Sequence, residues 1–176
     1  MKHEDFPAFF SRDYPHLVRH VRMLGYDRES ASDAAQQAMT LLLEQADRVS
    51  RPSTWVRVTA RRVALRDRAR DEKRDQLYAR EAAQAPIRTC PDPEEAVAEK
   101  GEARRVLKII RQLPPQQRQV LAWHYDGFSA QEIADVLDLK RSTVDSNLRH
   151  ARERVRALYT QPVLVGEGRH YERPSV

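Results

Sequence analysis

Apolar residues return along this chain every three or four positions, in one block after another, so helices are expected throughout. In the first block, Phe9, Phe10, Leu17, Val18, Val21 and Leu24 mark a helix from Phe6 to about Tyr26, and Gly25 closes it. A second helix is expected to start between Glu29 and Ser32 and to end near Asp47. Ala34, Ala35, Ala38, Met39, Leu41, Leu42 and Leu43 give it a wide apolar stripe. Pro52 suits the first turn of a third helix, with Ser50 and Ser53 as candidate caps. Trp55, Val56, Thr59, Ala60 and Val63 form one face of it, and Arg57, Arg61, Arg62, Arg66 and Arg68 the other. That helix is expected to reach about Tyr78.

Beyond it the period fails. Residues 79–97 include AQAPIRTCPDPEEA, with three prolines and several acids, and read as a flexible acidic linker between two domains. Helical spacing resumes with Val106, Leu107, Ile109 and Ile110. Pro114 and Pro115 end that helix and start the next, in which Val120, Leu121 and Trp123 face inward and which Gly127 ends. Ser129 is then a good N-cap for AQEIADVL, and Glu132 three residues later completes a capping box. The turn DLKR and a last helix follow. The tail 161–176 reads as disordered. The expected fold is all-α: two small helical domains, residues 1–78 and 98–160, on a flexible tether.

Charge sharpens this division. The chain of 176 residues carries a net +5 with a pI near 9.6, which makes an anionic partner plausible. The balance is uneven: net −3 over 1–47, +7 over 48–80, −4 over 81–102 and +5 over 103–160. Two basic blocks separated by an acidic spacer are not one uniform solvated surface. The single cysteine, Cys90, allows no internal disulfide. The start, MKHEDFPAFF, lacks the basic and apolar run of a signal peptide, and no stretch approaches the ~18 apolar residues of a membrane span. A cytoplasmic protein without membrane insertion is expected. His16 and His20 lie one turn apart, but no third ligand accompanies them and Leu17 stands where a zinc protease has its glutamate. No phosphate-binding glycine loop or catalytic triad stands out, so neither cofactor nor catalytic centre is expected.

The segment FSAQEIADVLDLKRSTVDSNLRHARERV has the layout of a helix-turn-helix. Advancing 100° per residue from Val144 puts Leu148, Ala151, Val155 and Leu158 within about 40° of it, a buried face. Ser142, Ser146, Arg149 and Glu153 lie opposite, with Asp145, His150 and Arg156 flanking and Arg141 ahead of the helix. Asp145, Ser146 and Arg149 are thereby expected at base edges in a major groove.

From Leu113–Pro114 through Gln117–Arg118, GFSAQEIA and TVDSNLRHAR, this half resembles region 4 of a sigma-70 family factor of the extracytoplasmic-function type. SDAAQQAMTLLLEQ and RPSTWVRVTARRVALRDRAR are similar to helices of region 2 of the same family. The resemblance spans roughly residues 6–160. It implies a specificity subunit of RNA polymerase, with no catalytic centre of its own. It implies that Asp33 and Gln36 meet the clamp helices of the largest polymerase subunit, and that region 4 meets the flap of the second-largest. Arg57, Arg61, Arg62, Arg66, Asp67, Arg68 and Arg70 would meet the minus-ten element, and a base flipped during melting would enter a pocket around residues 46–53. Arg141, Ser142, Thr143, Asp145, Ser146, Arg149 and His150 would meet the minus-thirty-five element. Trp55 is expected to pack in the core. An anti-sigma factor is a further partner the resemblance implies.

The chain departs from the family at several of these places. Asp145 and Asn147 stand where basic residues are usual, Asp138 where a glycine is frequent, Arg62 for an asparagine, and Ala34–Ala35 for larger apolar residues. Asp145 repels phosphate but can accept from cytosine N4, so it is expected to select rather than strengthen. The competing reading is a stand-alone dimeric helix-turn-helix regulator, which needs neither the Asp33/Gln36 helix nor the arginine-rich one. A DNA-processing enzyme such as a recombinase would need a catalytic cluster.

Overall fold

A computed structural model describes residues 2–81 and 101–160, and every regular element in them is helical. Helix α1 spans Phe6–Met23, α2 Arg28–Glu44 and α3 Pro52–Glu81; α4 spans Glu102–Arg111, α5 Pro115–Tyr125, α6 Ala130–Leu137 and α7 Arg141–Thr160. Single 3₁₀ turns occupy His3–Asp5 and Ala46–Arg48. The expected tether starts later than the sequence suggests, because α3 continues through residues 79–81. The rest of that tether, Cys90 and the tail 161–176 lie outside the described residues.

Helices α1, α2 and α3 form the first bundle. Its core holds Phe9, Leu17, Val21, Met39, Leu42, Val56 and Val63, with Trp55 packed at the edge. Ala31, Ala34, Ala35 and Ala38 of α2 share that core with Ala60 and Ala64 of α3. These small side chains let two helix backbones approach closely. Asp27 caps α2 by accepting from the Ser30 backbone N–H at 2.8 Å.

In the second bundle α7 packs against α4, α5 and α6. Val120, Trp123, Ile133, Ala134, Val144 and Leu148 make its main cluster. Pro115 opens α5 at the position where its missing N–H costs nothing. The capping box on α6 is formed: the Ser129 hydroxyl accepts from the Glu132 N–H, and the Glu132 carboxylate accepts from the Ser129 N–H at 2.9 Å. The turn is shorter than expected, and Arg141 is the first residue of α7 rather than its predecessor. Asp138 turns the chain in the left-handed region at φ 52°. An L-residue is strained there, and glycine is not.

The two bundles are not held apart. Met23 at the end of α1 is buried with Ile110, Leu113, Ala122 and Ala151 of the second bundle, and Val58 of α3 packs against the Trp123 cluster. Gly25, at φ 107°, turns the chain where a Cβ would lie 2.9 Å from the Arg118 guanidinium. Arg111 donates to the Tyr26 carbonyl at 3.0 Å across the same seam.

Asp138→Gly is expected to stabilise the protein by about 0.5–1 kcal/mol, because the left-handed turn no longer carries a Cβ. Urea unfolding of parent and variant checks this; an unchanged or lower midpoint would count against the strain.

Candidate nucleic-acid interface and the seam beside it

Two surfaces carry the expected chemistry. On α7, Val144, Leu148 and Ala151 are buried and Val155 and Leu158 half-buried, as the period requires. Ser142, Asp145, Ser146, Arg149, His150 and Glu153 stand exposed on the other side, and Thr143 is half-buried at its edge. Asn147 is turned back to its own helix, donating to the Thr143 carbonyl at 2.8 Å. The charged side chains here are paired only loosely: Arg141 lies 3.9 Å from Asp145, and Arg149 3.4 Å from Glu153 and 3.0 Å from His150. Exposed pairs of this kind contribute little to stability, so both arginines can exchange partners for phosphate.

The second surface is the arginine-rich side of α3. Arg62, Arg66, Arg68 and Arg70 are exposed and Arg61 and Asp67 half-buried. Arg66 bonds Asp67 at 3.2 Å and reaches across to the Gln37 side chain of α2 at 2.9 Å; Arg68 bonds Glu72 at 2.9 Å. Asp33 and Gln36 are exposed on α2, one turn apart, and free of the core that Ala34, Ala35 and Ala38 enter. In the connection around 46–53, Ala46 and Val49 are buried and Ser50 and Arg51 exposed.

Arg57 corrects the expected pattern. It does not share the open basic face but is 4% exposed, buried between the two bundles. Its Nε donates to Asp126 at 2.6 Å and its Nη1 to the Ser53 carbonyl at 2.8 Å, with Asp13 3.7 Å away. Asp126, at the end of α5, also accepts from His20 Nδ1 at 2.8 Å and Arg19 Nη2 at 3.0 Å, and its side chain is wholly buried. Aromatic rings frame the cluster. Trp123 meets His20 edge-on at 5.1 Å and Phe128 edge-on at 4.8 Å; Arg57 lies over Phe128 and Arg19 over Tyr125. A cleft of about 530 Å³, lined among others by Arg12, His16, Arg19, Tyr125 and Glu132, leads to it from solvent. Sequence reasoning missed Asp13, His20 and Asp126, and weighed His20 only as a metal ligand. Among the described residues no group of His, Cys, Asp and Glu is placed to hold a metal ion.

The electrostatics of the cluster are set by burial. Burial raises the Asp126 carboxyl, but the His20 hydrogen bond and charge and the Arg57 guanidinium outweigh it and hold the group far below the carboxylate range. Burial pushes His20 below its usual 6.5, against the Asp126 bond that favours the charged form. His20 Nε2 is buried without a hydrogen-bond partner among the described residues, so a proton added there would have no acceptor. At neutral pH the cluster thus holds a neutral His20 donating to an ionised Asp126.

Comparison with known proteins fits this architecture. Residues 103–155 match the family model described as sigma-70, region 4. The chain is 30% identical over 138 residues to "Probable RNA polymerase sigma factor RfaY" of Xanthomonas campestris pv. campestris, covering 74% of this chain and 34% of that protein. The chain thus spans about a third of the length of that curated relative. Among solved structures it resembles the sigma factor RpoE, crystallised with the anti-sigma factor NepR, from Bartonella quintana. That likeness has a TM-score of 0.66 and 18% identity, covering 89% of this chain and 97% of that one. It also resembles CnrH in complex with the cytosolic domain of CnrY, with a TM-score of 0.58 and 18% identity over 90% of this chain and 89% of that one. The second bundle is a sigma region 4 helix-turn-helix. Residues 103–155 are thus a sigma-70 region 4 segment, and the all-helical fold of the chain is that of these two structures.

Two outcomes follow from this geometry. Asp145→Ala removes an acid from the exposed side of α7 and frees Arg141; affinity for arbitrary duplex should rise while discrimination at one base pair falls by about 1–3 kcal/mol. Competition binding against upstream-element variants checks it, and unchanged selectivity would remove Asp145 from readout. For pH, the lowered His20 value means that the unfolded chain takes up protons first, so the contribution of His20 is complete above about 6.5 and is lost as pH falls below it. The contribution of Asp126 is complete above the ordinary carboxylate value of 3.8 and is lost only as pH falls below it. Melting temperature should therefore drop between about pH 7.5 and 5.5, less so in His20→Asn, which retains a donor and cannot titrate. Equal drops in both proteins would exclude His20 as the cause.

Proposed function

We propose that this protein is an alternative sigma factor of the extracytoplasmic-function type, which binds core RNA polymerase and directs it to promoters. One observation carries the reading: a single chain combines a region 4 helix-turn-helix, its groove-facing side open, with the first bundle, which exposes a ladder of arginines along α3. In this reading α7 reads the minus-thirty-five element through Arg141, Ser142, Asp145, Ser146 and Arg149. Arg61, Arg62, Arg66, Arg68 and Arg70 hold phosphates of the minus-ten region while the strands part. A base leaving the stack is taken up beside the connection from α2 to α3. Asp33 and Gln36 dock on the clamp helices of the largest polymerase subunit, where a carboxylate and an amide can meet arginines, and region 4 on the flap of the second-largest. The reaction is the polymerase's, and this chain supplies specificity without a catalytic group. One solved relative is in complex with a protein named as an anti-sigma factor and the other with the cytosolic domain of a second protein, so an anti-sigma factor for this chain is part of the proposal. Among the described residues no helix is long and apolar enough to cross a membrane.

Run-off transcription with bacterial core polymerase and a library of genomic fragments tests the reading. Discrete transcripts that share upstream motifs and vanish without the protein are expected. Asp33→Lys should abolish both transcripts and co-elution with core enzyme. Arg149→Ala should abolish transcripts but leave co-elution intact. A protein that neither initiates nor co-elutes would be a stand-alone regulator instead.

A further inference from the structure

Arg57 sits on the helix that carries the proposed minus-ten contacts, yet it is spent on a carboxylate from the other bundle. The same holds for the side chains around it. Asp126 takes one hydrogen bond each from Arg57, His20 and Arg19. Three donors from α1 and α3 converging on one buried carboxylate form an anion cradle, and α5 fills it with its own anion. Asp13, the other acid at the cluster, faces Arg12 at 2.7 Å, Ser53 at 3.0 Å and Arg57 at 3.7 Å. Glu132 of α6 lies at the mouth of the cleft.

The packing around this cradle sets a geometric limit. Elements named minus-ten and minus-thirty-five lie some 25 base pairs apart, roughly 85 Å along B-DNA. A compact body of this length is roughly 40 Å across. The closed molecule cannot lay α3 on one element and α7 on the other, so the seam must part if both are bound together.

We propose that Asp126 is an intramolecular latch: it occupies the Arg57–His20–Arg19 cradle as a stand-in for a nucleic-acid phosphate, and its withdrawal opens the molecule and frees the cradle for DNA. This rests on the sigma-factor reading for its consequence but not for the latch itself. In the closed state the outer side of α7 is already exposed, while Arg57 is not. Opening therefore changes the first bundle's DNA surface more than the second's. It adds up to two permanent cations, Arg57 and Arg19, at the base of the arginine ladder.

The test uses the full chain, with small-angle scattering for shape and a labelled single-stranded oligonucleotide of arbitrary sequence as probe. Asp126→Asn is compared with Asp135→Asn, which removes the same charge from an exposed site on α6 bonded to Gln131. Asp126→Asn should enlarge the radius of gyration by roughly a quarter. It should also steepen the salt dependence of oligonucleotide binding by about one to two phosphate contacts, at about 0.7 per contact. Asp135→Asn should do neither. A helical Asp126→Asn protein that stays as compact as the parent overturns the latch. If Asp126→Asn loses helical content, Arg19→Gln, which cuts only the most exposed of the three donors, takes its place. Partial expansion then supports the latch, and none overturns it. Expansion without polymerase binding by any variant would keep the latch and sink the sigma reading. A compact Asp126→Asn protein that initiates at promoters would do the reverse.

Discussion

The Asp126 carboxylate is the constraint on which the arrangement of the two bundles depends. It projects from the end of α5 with its side chain buried, so it must find donors or cost several kcal/mol. All three donors come from the other bundle. Such a cluster adds little net stability over an apolar contact of the same shape, because two charged groups, Asp126 and Arg57, had to leave water. What it adds is selectivity of docking. A shift of either bundle by a few ångströms would strand a buried carboxylate and a buried guanidinium together. The apolar contacts of Met23 and Val58 are compatible with many positions; the cradle is compatible with few.

How much of this was readable beforehand follows from which residues obey a period. The helices emerge from apolar spacing because each has one buried stripe, and Val144, Leu148, Ala151, Val155 and Leu158 fall where 100° steps put them. The Ser129–Glu132 box is readable because both partners lie within one turn. The seam is not. Asp13, His20, Arg57 and Asp126 are polar, and a polar residue on a helix is assigned to solvent unless its partner is known. Here the partners of Asp126 lie 69 to 107 positions away in sequence. A tether between two domains also predicts independence, and nothing in its composition reports that the domains dock. The burial of Arg57 was thus invisible, while that of Val56 beside it was plain.

Asp138 shows the converse, a departure whose meaning the structure supplies. The helix-turn-helix needs one residue in the left-handed region between α6 and α7, and aspartate is among the few side chains that tolerate it. The turn is retained, at some cost in strain. Asp145 is a departure of another kind. It leaves the backbone alone and changes the charge of an exposed helix side, which is why the proposal gives it a part in recognition rather than folding.

The chemistry of the seam also bears on its reversibility. Parting an apolar interface exposes its area to water at about 25 cal/mol per Å², with nothing in a promoter to compensate. Parting a cradle of arginines around a carboxylate exposes groups that water solvates well, and leaves the arginines able to bind phosphate. The seam here combines apolar contacts with an ionic centre. An interface built this way is specific in the closed state because its charges are buried. It is also separable because those charges have good partners elsewhere. That combination suits the proposed latch, in which α3 and α7 are held together in one state and far apart in another.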